Sequence, residues 1–217
     1  MKTDPVSPQG RHEVAVGDLT LAVETPPDLD ALLDRAAAAD PQAVDGIPYY
    51  AILWPAAQGL ARHLWNHRAE LAGSRVIELG CGLGLPSILA ARLGAHVTAT
   101  DFHPETGEWL FHNASLNGVA LEYRQLDWNE FLDARPATLD ARDCDLVIGS
   151  DLVYERRHIP ALICAIGALC APGGHAVISD PGRDNLDLFV SGMEKNGWHC
   201  SLQPEDDIYV CRFDRAP

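Results

Sequence analysis

Four carboxylates, Glu78, Asp101, Asp151 and Asp180, each fall at or beside the end of a short apolar run. In an open α/β sheet the ligand crevice lies outside the carboxyl ends of the strands, so acids at those ends gather along one rim. One such strand end is solvated often enough; four beside a glycine-rich turn ask for a ligand. The turn is Glu78-Leu79-Gly80-Cys81-Gly82-Leu83-Gly84. Glycines at 80, 82 and 84 let backbone approach a bound molecule closely and adopt positive φ. A dinucleotide loop, GxGxxG, needs its third glycine at position 85, where this chain has Leu85. A phosphate-binding P-loop fails as well, because no Gly-Lys-Ser/Thr follows. Asp101 stands 21 residues after Gly80, where a carboxylate can accept both hydroxyls of a ribose. A tight turn with a solvated Asp is the plainer alternative.

Two further segments carry candidate side chains. In Leu126-Asp127-Trp128, Asp127 could accept from an adenine amino group while Trp128 packs on the ring. A capping Asp and an ordinary buried Trp explain the same residues. Asp151-Leu152-Val153-Tyr154 sets a carboxylate and a phenol three residues apart. Taken alone, they read as a helix cap and a half-buried Tyr.

These residues must be held by regular elements, and the chain supplies them. Arg75–Leu79, His96–Asp101, Leu121–Leu126, Asp145–Ser150 and His175–Ser179 read as strands. Helical spacing separates them: Leu60, His63, Leu64 and His67 after Pro55; Leu85, Ile88, Leu89 and Leu93; Trp109 to Leu116 after Pro104; Ile159 to Leu169; and Phe189 to Lys195. Pro172-Gly173-Gly174 reads as a turn, and Trp198–Leu202 and Ile208–Phe213 as late strands. Strands alternating with helices give a doubly wound α/β sheet, mostly parallel and covered on both faces. Residues 1–45 differ. Val14, Val16, Leu19, Leu21 and Val23 around Gly17-Asp18 suggest a hairpin, then a helix from Leu29 to Ala39 stopped near Asp40-Pro41. This reading divides the chain into an extension, 1–45, lying as a lid or edge, and a domain, 46–217.

The chain has 217 residues with 31 acidic against 16 Lys and Arg, a formal charge of -15. Nucleic acid is therefore excluded as a default partner, since phosphates need clustered cations, and a basic or cationic substrate suits the field. No apolar run reaches the ~18 residues that span a bilayer, and Met1-Lys2-Thr3-Asp4-Pro5 lacks a secretory apolar core. Six cysteines without a CxxC pair or metal spacing read as reduced thiols of a cytoplasmic protein, expected to act as a monomer with no metal. His63, His67, His103 and His112 read as solvated or structural.

Leu53-Trp54-Pro55, the glycine turn, Leu126-Asp127-Trp128 and Asp151-Leu152-Val153-Tyr154, in that order, resemble the motifs of seven-β-strand S-adenosylmethionine methyltransferases with an Asp-x-x-Tyr signature. That family includes lysine methyltransferases of chaperones and of the electron-transfer flavoprotein β subunit. The resemblance covers residues 47–180. It implies sheet order 3-2-1-4-5-7-6 with strand seven antiparallel, and S-adenosyl-L-methionine as cofactor. By the same resemblance, Trp54 closes over the methionine end. Glu78, Gly80, Gly82 and Gly84 form the cofactor loop, Asp101 takes the ribose, Asp127 and Trp128 the adenine region, and Ser150 lies alongside. Asp151 and Tyr154 then face the nucleophile, a protein lysine by this reading. A pyridine-type or other small amine, a non-catalytic cofactor-binding module and, last, an NAD oxidoreductase are the alternatives.

Overall fold

The computed structural model describes residues 10–39, 47–133 and 143–215; the first five residues and Asp40-Pro41 lie outside them. An N-terminal hairpin, β1 (Gly10–Val16) and β2 (Leu19–Thr25), leads to α1 (Leu29–Ala39). Then follow α2 (Pro55–Asn66), β3 (Arg75–Leu79), α3 (Leu85–Arg92), β4 (His96–Asp101), α4 (Thr106–Leu116), β5 (Glu122–Gln125) and α5 (Glu130–Asp133). The second half holds β6 (Cys144–Ser150), α6 (Ile159–Leu169), β7 (Cys170–Asp180), α7 (Leu186–Lys195), β8 (Trp198–Glu205) and β9 (Ile208–Arg215).

The sheet order is β5-β4-β3-β6-β7-β9-β8, with β9 antiparallel to β7 and β8 antiparallel to β9. This is the order implied by the sequence resemblance. Alternation along each strand assigns the two faces. Val76, Leu146, Ile148, Val177 and Val210 pack with α2 and α3. Ile77, Val147, Ala176, Ile178 and Phe213 pack with α6 and α7, where Phe213 meets Phe189 edge-on at 5.4 Å. Each such buried side chain contributes about 1.5–3 kcal/mol.

The hairpin joins the first of these layers, with Val14, Val16, Leu21 and Val23 buried among α2 and α3 side chains. Two asparagines one turn apart, Asn113 in α4 and Asn117 at its C-cap, close the edge of β2. Asn113 Oδ1 accepts from the Glu24 amide at 2.8 Å and Asn117 Oδ1 from the Ala22 amide at 3.0 Å. Their amide groups donate back to the Glu24 and Ala22 carbonyls at 3.1 and 2.7 Å. An exposed row of strand donors is thereby satisfied.

Most strand and helix limits shift by a few residues from the sequence reading, and two of the differences have a local cause. Helix α4 starts at Thr106, past Pro104, because the chain first turns where Asp101 Oδ1 accepts the His103 amide at 3.0 Å. The Pro172-Gly173-Gly174 turn lies inside β7: pairing runs from Cys144↔Cys170 to Leu146↔His175, so the intervening residues of β7 bulge out.

Candidate active site

The chain leaves β3 in one direction across the sheet and β6 in the other, which places the switch point between their carboxyl ends. Gly80, Gly82 and Gly84 all have left-handed φ, +62°, +49° and +84°. At Gly80 a Cβ would stand 2.6 Å from Leu152 Cδ2, and at Gly84 2.2 Å from Leu110 Cδ1. At both positions the backbone conformation disfavours a side chain, and a leucine methyl would also have to move. Gly84 caps α3, and the Gly82 amide donates to Asp101 Oδ2 at 2.9 Å. Burial pushes the Asp101 carboxyl up, while the His103 and Gly82 amides oppose the shift.

A cavity of about 390 Å³ opens over this loop. Of the side chains singled out from sequence, Trp54, Asp101, Trp128, Ser150, Asp151 and Tyr154 line it together with Gly80, Gly82 and Gly84. Glu78 and Asp127 do not, and each has a local reason. Glu78 is fully buried beneath α3, where its Oε2 accepts from the Ser87 amide at 3.0 Å and the Ser87 hydroxyl at 2.5 Å. Desolvation holds its carboxyl up at about 8. Glu78 thus caps the helix that carries the loop instead of touching the cavity. Asp127 Oδ1 accepts the Asn129 amide at 2.8 Å and its side-chain NH₂ at 2.9 Å, the capping role that its sequence context also allowed.

The fourth strand-end acid also shapes the backbone. Asp180 is buried and its Oδ1 accepts the Gly182 and Arg183 amides, both at 2.8 Å. That turn aims Arg183 into the cavity wall, where its guanidinium pairs with Asp151. Asp151 itself has φ +63° and its amide donates to the Ser179 carbonyl at 2.8 Å. A non-glycine residue in that region persists only where its surroundings over-determine it.

Aromatic rings border the same end. Tyr49 lies 6.3 Å from Trp54 and 5.4 Å from Tyr154; His158 is 6.3 Å from Tyr154 and from Trp128. The Trp54 indole donates to the Tyr49 carbonyl at 3.0 Å. Tyr49 and Arg183 were not singled out from sequence. The first is signalled only by its closeness to Trp54, the second only by the glycine turn after Asp180.

A family model described as lysine methyltransferase matches residues 14–196, a span that begins inside β1 and so includes the hairpin. The chain is 36% identical over 121 residues to the histone-arginine methyltransferase METTL23 of Xenopus laevis, covering 54% of this chain and 50% of that protein. It is 32% identical over 173 residues to the protein N-lysine methyltransferase METTL21A of Mus musculus, covering 76% of this chain and 77% of that one. The chain spans about half the length of the first curated relatives it matches. In fold, it is similar to the Thermus thermophilus 16S rRNA N2 G1207 methyltransferase solved with AdoMet and guanosine. That likeness has a TM-score of 0.66 at 15% identity, over 95% of this chain and 50% of that one.

Proposed function

The chain belongs to the lysine methyltransferase family, and from that premise we propose that it transfers a methyl group from S-adenosyl-L-methionine to an amine nitrogen, that of a protein lysine. What carries the reading is a single cavity in which the loop glycines and Asp101 stand on one side of β3 and Asp151 and Tyr154 on the other. The wall suits such a cofactor. Backbone at Gly80 and Gly82 is bare, and the Asp101 carboxylate has acceptor sites beyond the two amides that it already serves. Bound there, S-adenosylmethionine supplies an electrophilic methyl on a sulfonium.

The protein's own part is orientation and exclusion of water. The glycine loop and Asp101 hold the nucleoside end, Trp128 packs beside it, and Ser150 borders the centre. Trp54, Tyr49 and Tyr154 turn ring faces toward a cationic centre, which each can stabilise by about 0.5–2 kcal/mol. Asp151 accepts an N–H bond from the arriving amine and fixes its line of approach; such orientation supplies several kcal/mol of a barrier. The net charge of -15 favours a basic segment of the acceptor protein.

Incubating the protein with methyl-labelled S-adenosylmethionine and a cell lysate tests this. Label on a lysine of a protein band is the expected result. Label confined to small metabolites would move the acceptor to a small amine, and no label above a cofactor-only control would refute transfer.

A further inference from the structure

Asp151 does not face the cavity as a bare charge. Its side chain is 9% exposed and the Arg183 guanidinium lies against its Oδ1. The turn Asp180-Pro181-Gly182-Arg183 is built for that contact: Asp180 holds two of its amides, Gly182 takes φ +89°, and Asp180 Oδ2 lies 3.5 Å from Arg183 Nη1. The other acid at this end, Glu155, is paired with Arg157 at 2.5 Å, and His158 Nε2 lies 3.7 Å from it. Among the described residues, Tyr49 and Tyr154 also border Asp151, Asp180 stands behind Arg183, and Tyr50, Cys81, Asp101 and His103 line the rest of the cavity.

The consequence bears on the acceptor. An amine attacks through its lone pair, yet lysine has an ordinary pKa near 10.4. An unbalanced carboxylate within about 4–6 Å would raise that value by about 1–3 units and keep the nitrogen protonated. A carboxylate paired with a guanidinium contributes little net field but still offers free lone pairs, since it has about four acceptor sites.

We infer that Arg183 is a positioning residue that offsets the charge of Asp151, although it also meets the buried Asp180, so that the acceptor nitrogen meets a hydrogen-bond acceptor and a weakened ammonium trap. This rests on the methyl-transfer reading above.

The test is the pH dependence of transfer from labelled S-adenosylmethionine to lysate proteins stripped of small molecules, read on the principal labelled band. Arg183→Gln is compared with Arg183→Lys and wild type, with cofactor affinity measured on each sample. Arg183→Gln is expected to move the acidic limb of the profile up by about 1 pH unit, with transfer about 10-fold slower near neutrality and recovering in alkali. Half-saturation for the acceptor should not rise, and Arg183→Lys, which keeps the charge, should hold the wild-type limb. A uniform loss at every pH, a limb that stays in place in Arg183→Gln, or a limb that moves in Arg183→Lys would overturn the inference and leave the transfer reading standing. A wild type that labels no protein removes that reading, and this inference with it.

Discussion

The amide of Gly82 donates to Asp101 Oδ2 at 2.9 Å, so the carboxylate at the end of β4 fastens the very loop that it shares the cavity with. On the proposed reading, removing it costs twice: the cofactor loses an acceptor, and the loop loses its anchor. Asp101→Ala is therefore expected to weaken S-adenosylmethionine binding by about 10- to 100-fold, since a hydrogen bond to a charged group is worth about 1.5–3 kcal/mol. Calorimetry on the folded variant checks this. Equal affinity in wild type and variant would take Asp101 out of the cofactor site.

The four bonds between β2 and the side chains of Asn113 and Asn117 make the hairpin depend on α4. Asn113→Ala leaves the Glu24 amide and carbonyl without those partners, and also frees the Leu83 carbonyl, which Asn113 Nδ2 reaches at 3.1 Å. A loss of about 2–3 kcal/mol follows from unsatisfied buried groups. Native-state hydrogen exchange should show the amides of Ala22 and Glu24 opening before those of β3. If Asn113→Ala exchanges Glu24 at the wild-type rate, the side chain is not what protects it.

What the sequence disclosed about these sites depended on how local the cause was. Strands β3 and β4 match their expected limits, because a strand buried on both faces is an apolar run between breakers whatever its partners. Glu78 was misplaced for a reason that the alternation itself contains. Val76 and Glu78 lie on one face of β3, the face that α3 covers, so the carboxylate meets Ser87 and not the cavity. Arg183 was hidden because its role needs the end of β7, the turn of Asp180 and the positive φ of Asp151 together. Asn113 lies within the expected helix and Asn117 at its expected end, but nothing local names their partner, which lies about ninety residues earlier.

His63 provides a pH-dependent test of the packing beneath α2. It is 2% exposed, stacks on His67 at 4.1 Å, and its Nδ1 has no hydrogen-bond partner among the described residues. Burial, with the His67 and Arg212 charges nearby, lowers its pKa from 6.5 to about 4. A base with a depressed folded pKa binds fewer protons in the folded state than in the unfolded one. Its contribution is thus present above 6.5 and lost as pH falls toward 4. At ~1.4 kcal/mol per unit, wild type should lose about 3 kcal/mol more than His63→Leu across that window in urea unfolding. Parallel stability curves for the two proteins would show that His63 does not titrate there.

Glu78 works in the opposite sense, and the two windows overlap only below pH 6.5. Its folded pKa is raised from 4.5 to about 8, so the folded state binds the extra proton. The stability from this group is fully present below 4.5 and is lost as pH rises through about 8. His63 and the other titrating groups are common to wild type and a Glu78 variant, so the difference between the two proteins isolates Glu78. Gln in its place keeps an oxygen for the Ser87 amide and hydroxyl but has no charge to bury. Glu78→Gln should nearly match wild type at pH 5 and gain on it by about 1.4 kcal/mol per pH unit from there up to about pH 8, with the cavity lining unchanged because the side chain stands outside it. Urea midpoints at pH 5, 6.5 and 8 decide the matter. If Glu78→Gln is instead the less stable protein at pH 8, the carboxylate is ionised where it lies, and α3 is capped by a charge rather than by a neutral acid.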